Sequence, residues 1–283
     1  MATKTVLYSD NGCDLDQDRL EGLGVRMFGL PVMIKETTYV DRVTIAPPEF
    51  YRLLAQPGTV ATTSQVNIAT FVQEFASVLQ EENTEILYLA FSGGLSGTYE
   101  SACMARDMVD PQRITVIDTR SASVGQGLTV VKAAQALAAG QGKAEVIIAA
   151  EDNINRMEHI FIVGNLEMLK RGGRINPAAA TIGDLLNIKV ILQMKDGKIV
   201  PLEKNHGLKK AKRQLLDIMA ERGGDLRNQT IGISYSQDRQ GALEIRDMIE
   251  ARFGVDDFLI SEIGALIGSH VGAGTYAVYF LRP

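Results

Sequence analysis

Residues 92–99 read SGGLSGTY. They follow the β-branched and aromatic run EILYLAF (85–91) and precede a helical pattern, so serines, a threonine and glycines meet at a strand-to-helix junction. Backbone amides and the positive end of a helix dipole converge at such a junction, which is the chemistry of an anion site. It could hold a phosphate, an acyl group under nucleophilic attack, a carboxylate, or nothing.

A phosphate cradle of the P-loop type needs G-x-x-x-x-G-K-[ST], and no lysine is present here. GAGTYA (272–277) fits G-x-G-x-x-A, but it lies about a dozen residues from the end of the sequence, ahead of a strand-like run. No helix and no downstream acidic residue can follow it, so a dinucleotide site is rejected. A nucleophile is the second option. AFSGG (90–94) resembles the nucleophile elbow with Ala in place of the first Gly. Ser92 or Ser96 would attack and His270 would be the base, in the order Ser, Asp, His. Against this, Gly94 and Gly97 flank Ser96 at the wrong spacing and no HGGG-type oxyanion motif lies upstream. A metal is the third: His159, His206 and His270 are scattered, without H-E-x-x-H or a cysteine pair. They read as surface or satisfied core histidines, and no metal is expected.

A carboxylate is the remaining option. Ser96 or Thr98 would supply neutral donors, and so would TTSQ (62–65), which is expected to open a helix. Both places also read as helix caps: Thr62 to Gln65 fits the capping box and Ser96 suits an N-cap. A capping hydroxyl can still face a ligand, so the two readings coexist.

The elements that must position these groups alternate. TVLYS (5–9) is a strand ending at the turn Asp10-Asn11-Gly12, VRMFGLPVMI (25–34) a second apolar run, and NIATFVQEFASVLQ (67–80) a helix by its spacing. The strand EILYLAF, a helix from about Gly97 to Val109, the strand ITVIDT (114–119) and the helix GLTVVKAAQALAAG (127–140) complete a βα rhythm. That rhythm implies right-handed crossovers and a parallel sheet. After about residue 155 the pattern changes to a strand at HIFIVG, a short helix NLEMLKRGG (165–173), a hairpin around Asp196-Gly197, helices near 208–222 and 238–253 around TIGISYS, and the final strand TYAVYFLR. The expected architecture is α/β with two domains. Residues 1–155 form an N-terminal three-layer α/β/α domain with a mainly parallel sheet, and residues 156–283 a C-terminal α/β domain with a mixed or antiparallel sheet.

The chain has 283 residues, 46% hydrophobic and 22% charged, with a net charge of -5. An acidic surface repels phosphate backbones, which argues against nucleic acid. KKAKR (209–213) lies in a helical pattern and reads as a solvated face. Cys13 and Cys103 form no close-spaced motif, which suits a reducing cytoplasm. Neither a signal peptide nor a membrane span is expected.

The ordered set YSDNGCDL (8–15), YVDRVTIAPPEFYRLL (39–54), TSQ (63–65), GLSGTYESA (94–102), VIDTRSASVGQG (116–127), LKRGGRI (169–175) and SHVGAG (269–274) resembles the DegV family of bacterial fatty-acid-binding proteins over nearly the whole chain. The resemblance implies two α/β domains with a long-chain fatty acid between them and no cofactor. Thr63 and Ser96 would hold the carboxylate, with His270 close by and Gly94 and Gly97 shaping the site; Ser64 and His206 are further head-group candidates. It also implies a separate ATP-dependent fatty acid kinase as partner, and a non-enzymatic, cytoplasmic, monomeric binding subunit. Arg174 follows a short helix and a glycine pair, so it is expected on an exposed turn, contacting the partner instead of the lipid. Departures from the family pattern are Val66 and Asn67 in place of Pro and Ser, Gly93 in place of Ser, and His206 near the place of an Arg. A serine hydrolase acting on acyl esters with Ser92 or Ser96 and His270 stays as the alternative.

Overall fold

The computed structural model describes residues 3–164, 166–176 and 188–283; Met1 and Asn165, which enter the sequence reading, lie outside them. Among the described residues three sheets form. The first is parallel, built from β1 (Lys4–Asp10), β2 (Val25–Phe28), β6 (Thr84–Ala90) and β7 (Ile114–Asp118) in the order β2-β1-β6-β7. The second is mixed, with β8 (Met157–Ile162), β9 (Ile188–Lys195), β10 (Lys198–His206), β11 (Ile231–Tyr235), β12 (Phe258–Glu262) and β13 (Tyr276–Leu281) in the order β10-β9-β8-β13-β11-β12. Every neighbouring pair in it is antiparallel except β11–β12. The third is a small antiparallel sheet of β3 (Pro31–Ile34), β4 (Thr37–Val40) and β5 (Ala61–Thr63), in the order β4-β3-β5.

Alternation along the strands assigns each face. On the parallel sheet Tyr8, Ile86 and Tyr88 pack with Phe71 and Phe75 of α3 (Ile68–Val78) and Ala102 of α4 (Thr98–Val109). Leu7, Leu87 and Leu89 face the other way, onto Leu20 of α1 (Gln17–Gly22) and onto α5 (Val124–Ala138). The mixed sheet offers Phe161, Leu192 and Tyr279 to α5, and Ile160, Ile233 and Phe280 to α8 (Leu208–Arg222) and α9 (Arg239–Phe253). Thus α5, joined by α6 (Lys143–Arg156), is a helical layer shared by two sheets.

A shared layer is covered on all sides, and Val124 through Val131 are all buried. It must also be thin. A Cβ on Gly125 would lie 2.7 Å from His159 Nε2 and from Tyr279, and one on Gly127 would lie 3.0 Å from the Cys13 carbonyl and from Leu15. The strands of the parallel and the small antiparallel sheets all precede residue 119 and those of the mixed sheet begin at Met157, yet one core cluster holds Leu7 and Leu87 together with Leu259 and Tyr279.

Two expectations change. VRMFGLPVMI is not one element: it breaks at Gly29–Leu30 into β2 and β3, which belong to different sheets. KKAKR is not wholly a solvated face. Lys212 is buried, donating 3.0 Å to the Gly241 carbonyl and 2.9 Å to Glu244, with its ammonium over the Tyr276 ring, so it clamps α8 to α9.

Overpacking a fitted core costs about 1–3 kcal/mol. Gly125→Val is therefore expected to lower unfolding stability by about that amount, because the rings of His159 and Tyr279 block the added atoms. Urea denaturation followed by circular dichroism measures it; an unchanged midpoint would contradict the thin-layer account.

Candidate functional site

Two loops are laced together at the end of the parallel sheet. Gln65, just past β5, donates from Nε2 to Ser101 Oγ at 2.9 Å and lies over Gly97, where any Cβ would collide with its amide. The amide of Val66 donates to Thr98 Oγ1 at 3.3 Å, and Thr98 Oγ1 lies 3.0 Å from Ser96 Oγ. Thr63 is the last residue of β5, paired with Val32. These contacts bring the Thr63 and Ser96 segments together although 33 positions separate them in the sequence.

The third group arrives from the far end of the chain. α10 (Ala265–Val271) carries His270, whose Nε2 lies 2.8 Å from Thr63 Oγ1. Buried carboxylates hold its N-terminal end. Asp14 accepts from the Gly264 amide at 2.9 Å and from Ser123 Oγ at 2.5 Å, and Asp41 accepts from the Leu266 amide at 3.4 Å. Gly264 has no room for a Cβ against Asp41, and Gly268 rests on the rings of Phe50 and Tyr51 in α2 (Pro47–Leu54). Arg42 joins the cluster, bonding Asp16 and the Glu262 carbonyl. Burial raises both carboxyls; Asp14 is pushed up to about 7 against the downward pull of Arg42.

Burial pushes His270 down to about 4, and Arg174 and Arg171 add to the shift, so the imidazole is neutral at pH 7. Its Nδ1 is buried with no hydrogen-bond partner among the described residues. Arg174 is half-buried, with its guanidinium on the carbonyls of Leu95 and Gly172. Among the described residues no carboxylate pairs with it.

These groups border a mostly apolar cavity, the form usual for small-molecule sites. Thr63, Ser64, Ser96, Arg174 and His270 supply a polar end. The rest is mostly apolar, including Leu30, Phe91, Phe161, Met194, Ile199 and Leu266. It follows one face of β13 from Thr275, whose Oγ1 donates 3.1 Å to the Val271 carbonyl, past Ala277 to Tyr279. Four residues of strand are roughly 13 Å long. At the distal end His159 is buried 2.5 Å from Ser121 Oγ, and burial pushes its pKa down to about 4. Its partner makes it a satisfied core histidine.

Residues 4–282 match a family model described as an uncharacterised protein of the DegV family. The chain belongs to the DegV family. A DegV domain-containing protein of Clostridium perfringens is 39% identical, with 98% of this chain and 97% of that protein covered. A solved structure described as fatty acid binding of a DegV family protein from Thermus thermophilus is similar with a TM-score of 0.89 and 34% identity, covering 99% of this chain and 100% of that one. DegV of Bacillus subtilis, described as a fatty acid binding protein, aligns over the whole of both chains with a TM-score of 0.89 and 27% identity.

In this DegV chain Thr63, Ser64, Ser96, Arg174 and His270 come together, and four expectations are corrected. Thr62–Gln65 does not open a helix: Thr62 and Thr63 are strand residues, and α3 starts after Asn67, whose Oδ1 accepts from the Thr70 amide at 2.9 Å. Ser96 is not the N-cap of α4, which is Gly97; Ser96 Oγ accepts from the Thr98 amide at 3.3 Å in a local turn. Arg174 is in the cavity wall, not on an exposed turn. His206 is the exposed last residue of β10, opposite Ile188, and does not line the cavity.

Gly94 and Gly97 do not line it either; each permits a close approach, Gly94 to the Gly197 carbonyl and Gly97 to Gln65. The departures from the family pattern fall on structural positions. Asn67 is an N-cap, as Ser would be, Val66 is core, and the Gly93 amide donates 3.1 Å to Asp118. Asp14 and Asp41 were missed as positioning residues, although both lie in quoted motifs; only the partners of their carboxylates reveal the role.

Among the described residues no His, Cys, Asp and Glu side chains group to hold a metal ion, and no helix is long and apolar enough to cross a membrane.

Asp14 has a folded-state pKa of about 7 above an unfolded value of 3.8. The folded state therefore binds more protons between those values, and this contribution to stability is full below 3.8 and lost as pH rises through 7. The melting temperature is expected to fall over that interval, and Asp14→Asn, which keeps an acceptor for Gly264, to reduce the slope. Calorimetry between pH 5 and 8 checks this; an identical slope in the variant would contradict it.

Proposed function

We propose that this protein binds a long-chain fatty acid in the cavity as an interdomain tunnel and presents its carboxylate to a separate ATP-dependent fatty acid kinase. The observation that carries the reading is an apolar cavity with one polar end, where two hydroxyls, a neutral imidazole and a guanidinium without a carboxylate partner among the described residues converge. The fatty-acid binding described for the Thermus thermophilus and Bacillus subtilis relatives supports it.

Burial is worth about 0.8 kcal/mol per CH₂, so some 15 methylenes give on the order of 12 kcal/mol before ordering costs. The head group then needs orientation more than energy. Thr63 and Ser96 donate to the carboxylate, His270 holds Thr63 in place, and Arg174 supplies the countercharge from the cavity wall. The ligand oxygen is itself the nucleophile toward a phosphate donor, so this chain supplies no catalytic base. In-line phosphoryl transfer depends mainly on positioning and charge stabilisation, which the partner's nucleotide and metal provide.

The acyl-ester hydrolase is the weaker reading. Ser92 is buried, donates 2.7 Å to the Gly197 carbonyl and lies outside the cavity lining. Ser96 bonds within its own turn, and His270 Nε2 is engaged with Thr63.

Protein purified without added lipid is expected to release a fatty acid on organic extraction, identified by mass spectrometry. Empty protein that also fails to bind added palmitate or oleate would sink the proposal. A hydrogen bond to a charged group contributes roughly 1.5–3 kcal/mol. Ser96→Ala and Thr63→Ala should each weaken palmitate binding by about 10- to 100-fold, and the double variant should be non-additive because the two share one carboxylate. Ser92→Ala should leave affinity unchanged. Calorimetric titration of lipid-stripped, folded variants decides the matter, and wild-type affinity in the first two would remove the head-group site.

A further inference from the structure

A second cleft lies behind the distal wall of the cavity. It shares His159 and Met194 with the apolar cavity as a common partition. Apart from Ile154 and Met157 its other walls are mainly polar: Arg120 after β7, Asn155 at the end of α6, Glu158 at the start of β8, Gln193 and Lys195 of β9, and Arg222 and Arg282.

The guanidiniums are positioned mainly by neutral acceptors. Arg120 donates to Asn155 Oδ1 at 2.5 Å, Arg222 to Gln193 Oε1 at 2.8 Å, and Arg282 to the Asn155 carbonyl at 2.6 Å. Such acceptors fix direction without cancelling charge. One carboxylate, Glu158, serves two arginines at 3.5 and 3.9 Å, longer than the roughly 2.7–2.9 Å of a well-formed charged bond. Asp196 adds one more negative charge on the hairpin turn. The C-terminal ends of α6 and α8 take up a further share. Four cations against two carboxylates still leave the cleft positive, in a chain whose net charge is -5. Each guanidinium has five N–H donors, so most remain for a ligand.

We infer that this cleft is a binding site for a small phosphate-bearing anion, separate from the acyl cavity. Phosphate matches the planar fork of arginine in shape and charge. Glu158 occupies the place of one anionic oxygen and competes with the ligand.

The test is calorimetric titration of the full-length protein with pyrophosphate at low ionic strength. Saturable one-to-one binding that weakens with added sodium chloride is expected. Arg222→Gln and Arg282→Gln should each weaken it about tenfold, and Glu158→Gln should strengthen it several-fold. Lys195→Gln, on an exposed residue at the strand end, should weaken it without disturbing the fold and so covers the case in which an arginine variant unfolds. Protein saturated with palmitate should bind pyrophosphate as well as stripped protein does. Absence of saturable binding, indifference to all four substitutions, or competition by palmitate would overturn the inference; the last outcome would place the anion at the Thr63–Ser96 end.

Discussion

The site depends on a helix from the C-terminal half being seated in the N-terminal half. α10 brings His270 to Thr63 across 207 residues of sequence. Its first turn is held by Asp14 and Asp41, on loops beside two different sheets. A helix N-terminus leaves amides unsatisfied, and burying them without acceptors would be costly. Supplying carboxylates satisfies the amides and fixes the direction of approach. The penalty is visible in the raised pKa of both acids, which desolvation causes and Arg42 relieves only in part.

The same economy of buried polar groups recurs under the Ser96 loop. Asp10 is fully buried and accepts from Tyr88 Oη at 2.6 Å, from the Phe91 amide at 2.8 Å, and from Gln126 Nε2 and the Gly12 amide. All four donors are neutral. A network of this kind, made in a low-dielectric interior, is electrostatically stronger than it would be in water. Here it fixes where β6 ends and the turn toward Ser96 begins. Asn11 extends the network, bonding the amide and carbonyl of Leu30, a residue of the cavity wall.

The fold thereby separates two tasks. One face of the mixed sheet together with α10 gives an apolar cavity its shape, and short polar turns at one end give it direction. Hydroxyls and a neutral imidazole furnish that end without the desolvation penalty of a fully buried charge. Arg174, bonded to two carbonyls, keeps positive potential at that end without a fixed counter-ion among the described residues.

The sequence by itself determined the α/β class, the parallel and mixed sheets, the hairpin at Asp196-Gly197 and the motif segments around Thr63, Ser96 and His270. These follow from local signals: period-2 and period-3.6 hydrophobicity, turn residues and short motifs. The small third sheet escaped, because its strands are only three and four residues long, too short for a pattern to show. The helical state of α10 escaped as well, since seven residues make only about two turns, too few for a period to show.

Only the tertiary structure decided which hydroxyls face the cavity. Thr62–Gln65 and Ser96 read as helix caps because hydroxyls beside a helix start suit capping as well as anion binding; the packing of Gln65 over Gly97 and the place of Asn67 resolve them. Arg174 moved from an expected surface turn to the cavity wall, and His206 to the exposed end of a strand, for one reason. Whether a charged side chain meets water or a pocket is set by what the rest of the chain places over it, and that is a long-range property.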